Sequence, residues 1–488
     1  MKTIKEHDIH SNVKNVISRR TLNYTDIVAN SNKFYNLEIQ EHDNGKFFLY
    51  TSYGRVGGAG VNEYRECSSQ AEAEKEAEKI IKSKNKKGYV EVLLTKAEVG
   101  SSLGKSKVET SLVSQADLDK AGIKTEAVTS KLSPDVQNLI STWFGTTNDF
   151  VVANLDQSKC PLGNLSLVQL NKAKDILAEA RNIIANHKSD IQELNKLTNA
   201  YYSNIPHNFG YRKIDADVLR FDSNDKIDKG LDILEVFADA KSVANVIGKK
   251  SGIDEKYESL NTHIELLDKL DPTWKWIDDL FHGTRAANHS HLGNLKISRI
   301  FKYDRGEEKI FDKNLEKIAK ECGKQVFAPI AEKFLKSRSD HAKHKSDLYK
   351  KANVSALFHG TRTENLIGLS KRGFMLNPGP NVVITGKMYG AGSYFGWSTK
   401  ACGYSSFNRA YWSNGKDDKA YLILNDIALG NQLIADRSYQ YTKQNIKPHH
   451  SVWAKAGSAV INDEFIIFNG AGEEQQHQMR YIIEFGSK

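Results

Sequence analysis

LFHGTRTENLIGLSKRGFMLNPGPNVVITGKMYGAGSYFGWSTKACGY, residues 357–404, organises the reading of this chain. Leu357 and Phe358 run into His359-Gly360-Thr361, the pattern of a buried strand reaching its end. A helical piece follows, with Leu366, Ile367 and Leu369 on one side. Then come a Pro/Gly loop from Asn377 to Asn381 and a glycine-spaced turn, Gly390-Ala391-Gly392-Ser393-Tyr394-Phe395. Gly360 lets backbone N–H and C=O groups approach a flat ligand with no side chain in the way. Tyr394 and Tyr404 supply two aromatic faces for such a ligand to stack between. Taken alone, the same residues equally describe a strand, a loop and some core tyrosines.

The 488 residues leave room for about three domains. A hydrophobic content of 39% supports real cores, and 26% charge suits a soluble protein. No apolar run approaches the length of a membrane span, and the N-terminus MKTIKEHDIHSN lacks a signal-peptide core, so no membrane partner is expected. Four scattered cysteines (Cys67, Cys160, Cys322, Cys402) exclude a disulfide framework and any CxxC zinc module, and no metal site is expected. The net charge of +9 suits a polyanionic partner, and equally a general surface surplus.

Residues 1–28 are polar without sustained period and read as a flexible tail. Phe34 to Gln40 and Lys46 to Tyr50 are strand candidates around Asn44-Gly45, a strong hairpin signal. The second strand continues into Tyr53-Gly54-Arg55-Val56-Gly57-Gly58. Ala73, Ala77, Ile80 and Ile81 recur at helical spacing, and Lys79, Lys82, Lys84, Lys86 and Lys87 follow before a strand at Gly88–Val92. As bare chemistry this is a small sheet with one helix and a lysine cluster, which is equally a solvated face. Residues 101–130 read as a Ser/Lys/Thr/Gly-rich linker. Ser133-Pro134 opens a helix with Val136, Leu139, Ile140 and Trp143 on one face. Ser166–Ala185 and Ile227–Ile247 are helical by period, giving a bundle with no cluster of catalytic residue types. His282-Gly283-Thr284-Arg285 repeats the HGTR string, but no glycine turn with paired tyrosines follows it, and His282 is assigned no ligand role. Residues 305–355 carry a Lys/Glu-rich helical insertion, with Leu315, Ile318, Val326, Ile330 and Phe334 as its apolar positions.

The motif order closely resembles the NAD-binding core of the poly(ADP-ribose) polymerases: LFHGT-R, a donor loop, MYGAGSYF, a lysine four residues before a tyrosine, and later NDEFIIF at 462–468. SNKFY, the hairpin, YGRVGG and IKSKNKKGY look like the family's WGR domain, with Tyr53 where the family has tryptophan. CPLGNLS (160–166) and IPHNFG (205–210) resemble two motifs of its helical regulatory domain, where His207 is structural. The resemblance implies a multidomain α+β protein of the compact, DNA-dependent type. A small β-sheet plus helix WGR-like domain would span 29–100, an all-α regulatory bundle 131–272, and a mixed α/β ADP-ribosyltransferase fold with antiparallel sheets 273–488.

It also implies a site. Glu464 takes the catalytic role, binding a ribose hydroxyl and polarising the acceptor, although a strand-edge glutamate paired with a lysine would look the same in sequence. His359 holds a ribose hydroxyl of the adenosine half, and Gly360's backbone holds the carboxamide beside Thr361. Tyr394 and Tyr404 match the stacking tyrosines and Lys400 the active-site lysine. Ala401 stands where the family has a serine that bonds the carboxamide oxygen, so one hydrogen bond, about 0.5–1.5 kcal/mol net, is missing. Tyr53, Arg55, Lys82, Lys84, Lys86 and Lys87 would meet broken DNA. The implied protein is a monomer using NAD as substrate. It is switched on by DNA strand breaks, which relieve inhibition by the helical region, and modifies acceptor proteins including itself. It would be nuclear in a eukaryote and otherwise cytoplasmic with the chromosome. A non-enzymatic DNA-end scaffold is the alternative, and a chain-forming or single-unit product stays open.

Overall fold

The computed structural model describes residues 3–4, 9, 11–92, 130–155, 165–186, 190–207, 209, 213–241, 252–286, 295–322, 333–334, 336–338, 346–374, 388–404 and 419–486. The linker 101–130 apart from Ser130, the CPLGN motif, Asn208, Gly210, the loop 377–381, and Val326 and Ile330 of the insertion lie outside these residues.

The N-terminal segment corrects one expectation. Within the stretch expected to be a flexible tail, β1 (Thr3–Ile4) and the long β2 (Val13–Asp26) are strands of a six-stranded antiparallel sheet. β2 pairs with β3 (Ser31–His42) from Val13↔His42 to Asp26↔Ser31. Its polarity concealed it. Thr21, Asn23 and Thr25 are buried, which burial tolerates only when polar groups are paired. Asn23 Nδ2 donates to Tyr202 O (3.0 Å), and the Thr25 N–H donates to Ser203 Oγ (2.9 Å).

β4 (Phe47–Arg55), β5 (Val61–Cys67) and β6 (Val90–Val92) complete the order β1-β5-β4-β3-β2-β6. The Asn44-Gly45 hairpin forms, with Gly45 at φ +76°. Helix α1 (Gln70–Asn85) starts at Ser69, whose side chain accepts the Glu72 N–H. It lays Ala73, Ala77 and Ile81 on a core of Leu22, Leu37, Ile39 and Leu49.

Helix α2 (Pro134–Asn154) buries Val136, Leu139, Ile140 and Trp143, the face read from its spacing. Next come α3 (Leu167–Ala185), α4 (Ile191–Asn204), α5 (Ala216–Leu219) and α6 (Asn224–Lys241). His207 is structural in its surroundings. Its Nδ1–H donates to Ile205 O (2.7 Å), and its ring lies among Tyr201, Tyr202 and Phe237. Burial lowers its pKa to about 4.

The chain divides into two compact units, residues 1–130 with 148–245, and 131–147 with 246–488. The division falls inside α2. In the second unit, the first turns of α2 are clamped by Arg299, which donates to Asp135 Oδ1 (2.9 Å), Asn138 Oδ1 (2.8 Å) and both oxygens of Glu484.

That unit continues through α7 (Ile253–Glu258), β7 (His263–Leu266), α8 (Pro272–Gly283), β8 (Ile297–Asp304), α9 (Glu308–Glu321), α10 (Ser346–Lys351), β9 (Val354–Gly360) and α11 (Leu366–Arg372). The remaining elements are β10 (Ser393–Gly396), α12 (Ser398–Tyr404), β11 (Ala420–Ala428), β12 (Gln432–Ala435), β13 (Ser451–Ala454), β14 (Glu464–Ile467) and β15 (His477–Phe485). Nine strands form one sheet in the order β12-β13-β14-β10-β9-β11-β15-β8-β7. Every pairing is antiparallel except β12 with β13. β9 is its central strand, and β11 and β15 beside it are buried along their whole length.

Candidate active site and nucleic-acid interface

β9 brings His359 and Gly360 to the edge of the core. Leu357 and Phe358 are fully buried, and the two residues after them are partly open. Gly360 has a packing reason before any ligand is considered: a Cβ there would stand 1.7 Å from the carbonyl oxygen of Ala401. The strand end and α12 therefore touch backbone to backbone, which only glycine permits. Ala401 is buried among Phe358, Cys402 and Leu422.

The glycine turn before β10 obeys the same constraint. Gly390 has φ +92°, and a Cβ on it would meet Tyr441 O at 2.0 Å. Tyr394 ties this turn together, its hydroxyl donating to Gly390 O (2.8 Å) and accepting the Tyr389 N–H (3.0 Å). One backbone step links the turn to the histidine strand, because His359 Nδ1–H donates to Tyr394 O (2.9 Å).

Strand register then places the acid. Gly396 pairs with Glu464 on one side and with Phe358 on the other. Glu464 therefore lies two strand spacings, about 10 Å, from the strand that carries His359. Gly396 holds no side chain in that row, and a Cβ there would press on Lys400 Cβ at 2.9 Å. Lys400 instead reaches over the glycine to form an ion pair with the Glu464 carboxylate, which is almost wholly buried. His359, Tyr394, Lys400 and Glu464 thus converge from four separate elements. Thr361 sits just past the strand, its hydroxyl accepting from Asn365 Nδ2 (3.2 Å). Tyr404 closes α12, and its side chain lies outside the described residues.

Sequence reasoning missed the groups behind the histidine. Phe374 and Phe395 pack on the His359 ring, with centroids 4.6 and 5.7 Å away. Behind Phe374 lies His477 at 4.9 Å, buried and with neither ring nitrogen hydrogen-bonded. Burial, with Arg305 and His359 nearby, lowers its pKa to about 3. The only signal for it is a histidine opening the strand HQMRYIIEF. His282 ends α8, 3.5 Å from Asp278. Among the described residues no group of three or more His, Cys, Asp or Glu is arranged to hold a metal ion.

In the first unit, Tyr53 stacks on Tyr35 (5.2 Å, 10° between planes) and donates its hydroxyl to Glu63 (2.8 Å). Lys84 is drawn into this cluster, its ammonium 3.9 Å from the Tyr35 ring centre, and burial lowers its pKa. Lys82, Lys86 and Lys87 are exposed. Arg55 Nη1 donates to Asn30 O (3.1 Å), and Asn30 Oδ1 accepts the Ile214 N–H (3.0 Å), so the arginine turn is joined to the segment ahead of α5. The six residues expected to meet DNA therefore divide: Tyr53, Arg55 and Lys84 carry internal contacts, and three lysines face outward.

The nine-stranded sheet, with its histidine strand, glycine turn and buried lysine–glutamate pair, is an ADP-ribosyltransferase fold. Three family models match consecutive parts of the chain: the WGR domain at 18–96, the poly(ADP-ribose) polymerase regulatory domain at 130–269 and the poly(ADP-ribose) polymerase catalytic domain at 273–486. The chain belongs to the poly(ADP-ribose) polymerase family. It is 28% identical over 454 residues to "Poly [ADP-ribose] polymerase 1" of Gallus gallus, covering 88% of this chain and 39% of that one. The Danio rerio "Poly [ADP-ribose] polymerase 1" is 27% identical over 481 residues, covering 95% and 42%. The Zea mays "Poly [ADP-ribose] polymerase 2" is 25% identical over 425 residues, covering 84% and 57%. The chain thus spans well under two thirds of the length of these relatives.

Ala401 gives a test of the site. Ala401→Ser supplies the hydroxyl that the resemblance implies there and, on the function proposed below, is expected to lower KM for NAD about two- to tenfold with kcat unchanged. This is the signature of one added ground-state hydrogen bond. In its apolar surroundings a hydroxyl without a ligand partner would only destabilise. An unchanged KM with a lowered thermal midpoint would therefore remove residue 401 from the site.

Proposed function

We propose that this chain transfers ADP-ribose from NAD to proteins, itself included, with release of nicotinamide, and that broken DNA switches the reaction on. The observation that carries the reading is the buried Lys400–Glu464 pair, held one glycine away from the strand that ends in His359 and Gly360. In the proposed reaction the bond between ribose C1′ and the nicotinamide nitrogen breaks. The leaving group takes the electron pair and becomes neutral, so no strong acid is needed. Positive charge grows on the ribose, and a fixed carboxylate stabilises it by the logic of glycoside cleavage. An acceptor nucleophile then bonds to C1′ and gives up its proton, for which Glu464 is the nearest base proposed. His359, its Nδ1 committed to Tyr394 O, presents Nε2 for a ribose hydroxyl.

The assay is purified chain with labelled NAD, with and without nicked DNA, read on a gel. Label on protein, increased by DNA, is expected. No label in either arm leaves a DNA-binding scaffold as the better reading, and equal label in both removes DNA activation.

The DNA side has its own test. Binding through Lys82, Lys86 and Lys87 should weaken steeply with salt, each phosphate contact adding about −0.9 to the slope of log K against log salt. Lys82→Glu, Lys86→Glu and Lys87→Glu together are expected to flatten that slope by about 2–3 and to reduce DNA stimulation in parallel. An unchanged slope with full stimulation would make the three lysines a solvated face. Lys84 is left out because it supports the tyrosine cluster.

A further inference from the structure

The last carbonyls of a helix have no partner within it, and each must find a donor elsewhere. For α11 the donors come from the end of β8, more than sixty residues earlier in the chain. Tyr303 OH donates to Ser370 O (2.7 Å). Arg305 Nη1 donates to Leu369 O (3.1 Å) and Ser370 O (3.0 Å), and its Nη2 donates to Glu307 Oε1 (2.9 Å). The Gly373 N–H also donates to Leu369 O (2.8 Å), so each of the two carbonyls accepts twice, the capacity of a carbonyl oxygen. The Arg305 side chain is only 10% exposed. Burying a guanidinium is costly, and ending a helix of seven residues is a small return for it.

What the clamp holds is the chain just past the helix. Gly373 has φ +73°, and a Cβ on it would stand 2.9 Å from Ala471 Cβ and 3.2 Å from Arg305 Nη1. The backbone therefore threads between the two with room only for glycine. On the far side, Phe374 O accepts the Ala471 N–H (2.8 Å). Its backbone fixed in this way, Phe374 turns its ring onto His359, with centroids 4.6 Å apart and 78° between planes. His477 backs it (4.9 Å, 88°) and Phe395 flanks it (5.1 Å, 67°). Edge-to-face contacts set tilt as well as separation. The hydrogen bond from His359 Nδ1 to Tyr394 O fixes one atom of the imidazole and leaves a swing about it. Phe374 takes up that swing.

We propose that Arg305, with Tyr303 beside it, is a positioning residue for the transfer reaction. Through the last turn of α11 and Phe374 it sets the tilt of the His359 ring, and with it the direction in which Nε2 meets the ribose hydroxyl. The placing of the ring stands on the packing alone; its consequence for NAD rests on the function proposed above. The role calls for arginine, because lysine keeps the charge but lacks the planar fork that spans two carbonyls and a carboxylate.

The test uses the full chain with histidine labelled by ¹³C at Cε1, in wild type, Arg305→Met and the milder Tyr303→Phe, with the thermal midpoint as fold control. In both variants the resonances of His359 and His477 should move while those of the other histidines stay. Steady-state kinetics should show KM for NAD raised about two- to tenfold with kcat unchanged, the mark of one misdirected ground-state hydrogen bond. Arg305→Lys should resemble Arg305→Met. In a His359→Leu background Arg305→Met should leave KM where it is, because the group it directs is gone. If the positioning holds but the enzymatic reading fails, the resonances move and wild type transfers nothing. A His359 resonance that stays in place in both variants overturns the proposal. So does a KM rise of the same size in the His359→Leu background, or full rescue by Arg305→Lys.

Discussion

Glu464→Gln is expected to lower kcat for ADP-ribose transfer by about 10²–10³-fold, the scale lost when one preorganised electrostatic group is removed from a transition state. KM for NAD should move by less than about threefold. The two effects separate because the carboxylate acts on charge that develops only as the nicotinamide bond breaks. Glutamine keeps the shape and a hydrogen-bonding oxygen for Lys400, so the row Phe358–Gly396–Glu464 should survive and the thermal midpoint should change little. Single-turnover rates with saturating NAD, with near-UV circular dichroism as the fold control, check this. A folded variant that turns over like wild type would reduce Glu464 to a buried lysine partner.

How much of this was readable in advance depends on where each residue's partners lie. The turns and glycines were legible because their constraint is local. Asn44-Gly45 makes a hairpin whatever surrounds it, and Gly390 needs its positive φ within a few residues. Glu464 and Lys400 were legible as motif members, though their pairing across Gly396 was not, because register decides it. β2 was hidden for the opposite reason. Its buried Asn23 Nδ2 and Thr25 N–H find their acceptors at Tyr202 and Ser203, far along the chain, so composition alone argues for a tail. Lys84 is expected from the sequence to meet broken DNA, and only the folded sheet brings Tyr35, Tyr53 and Tyr89 around it. The same holds for Gly360, where sequence suggested room for a ligand and the fold adds the carbonyl of Ala401.

The insertion's anchor is the least legible feature and supports the largest stability effect. Asp426, in the centre of β11, is fully buried and accepts from Arg338 Nη1 (2.5 Å), Arg480 Nε (2.9 Å) and Tyr349 OH (3.0 Å). Arg480 Nη2 also donates to Tyr349 OH (3.0 Å), closing the group. Two guanidiniums on one carboxylate outweigh the cost of burying it and hold its pKa at about 2. Asp426→Asn takes the shared carboxylate from two buried guanidiniums, Arg480 keeping Glu308 at 3.5 Å, and breaking a buried pair costs about 3–5 kcal/mol. In a unit of this size that corresponds to a fall in Tm on the order of 10 °C. Replacing the partners as well, with Asp426→Asn, Arg338→Met and Arg480→Met together, should recover much of the loss, because no charge is then stranded. The pH dependence carries a definite sign. A folded pKa below the unfolded value gives stability that is present above about pH 4 and is lost as pH falls toward 2. Wild type should therefore lose more stability than the asparagine variant across that window in urea titrations. The register gives the functional side of the same prediction. Asp426 pairs with Ala356 on β9, three residues before His359, so the molecules of the variant that remain folded should keep near-normal turnover. A stable but inactive Asp426→Asn protein would show that the network serves the site and not the anchoring of the insertion, and a stable, active one that neither depends on it.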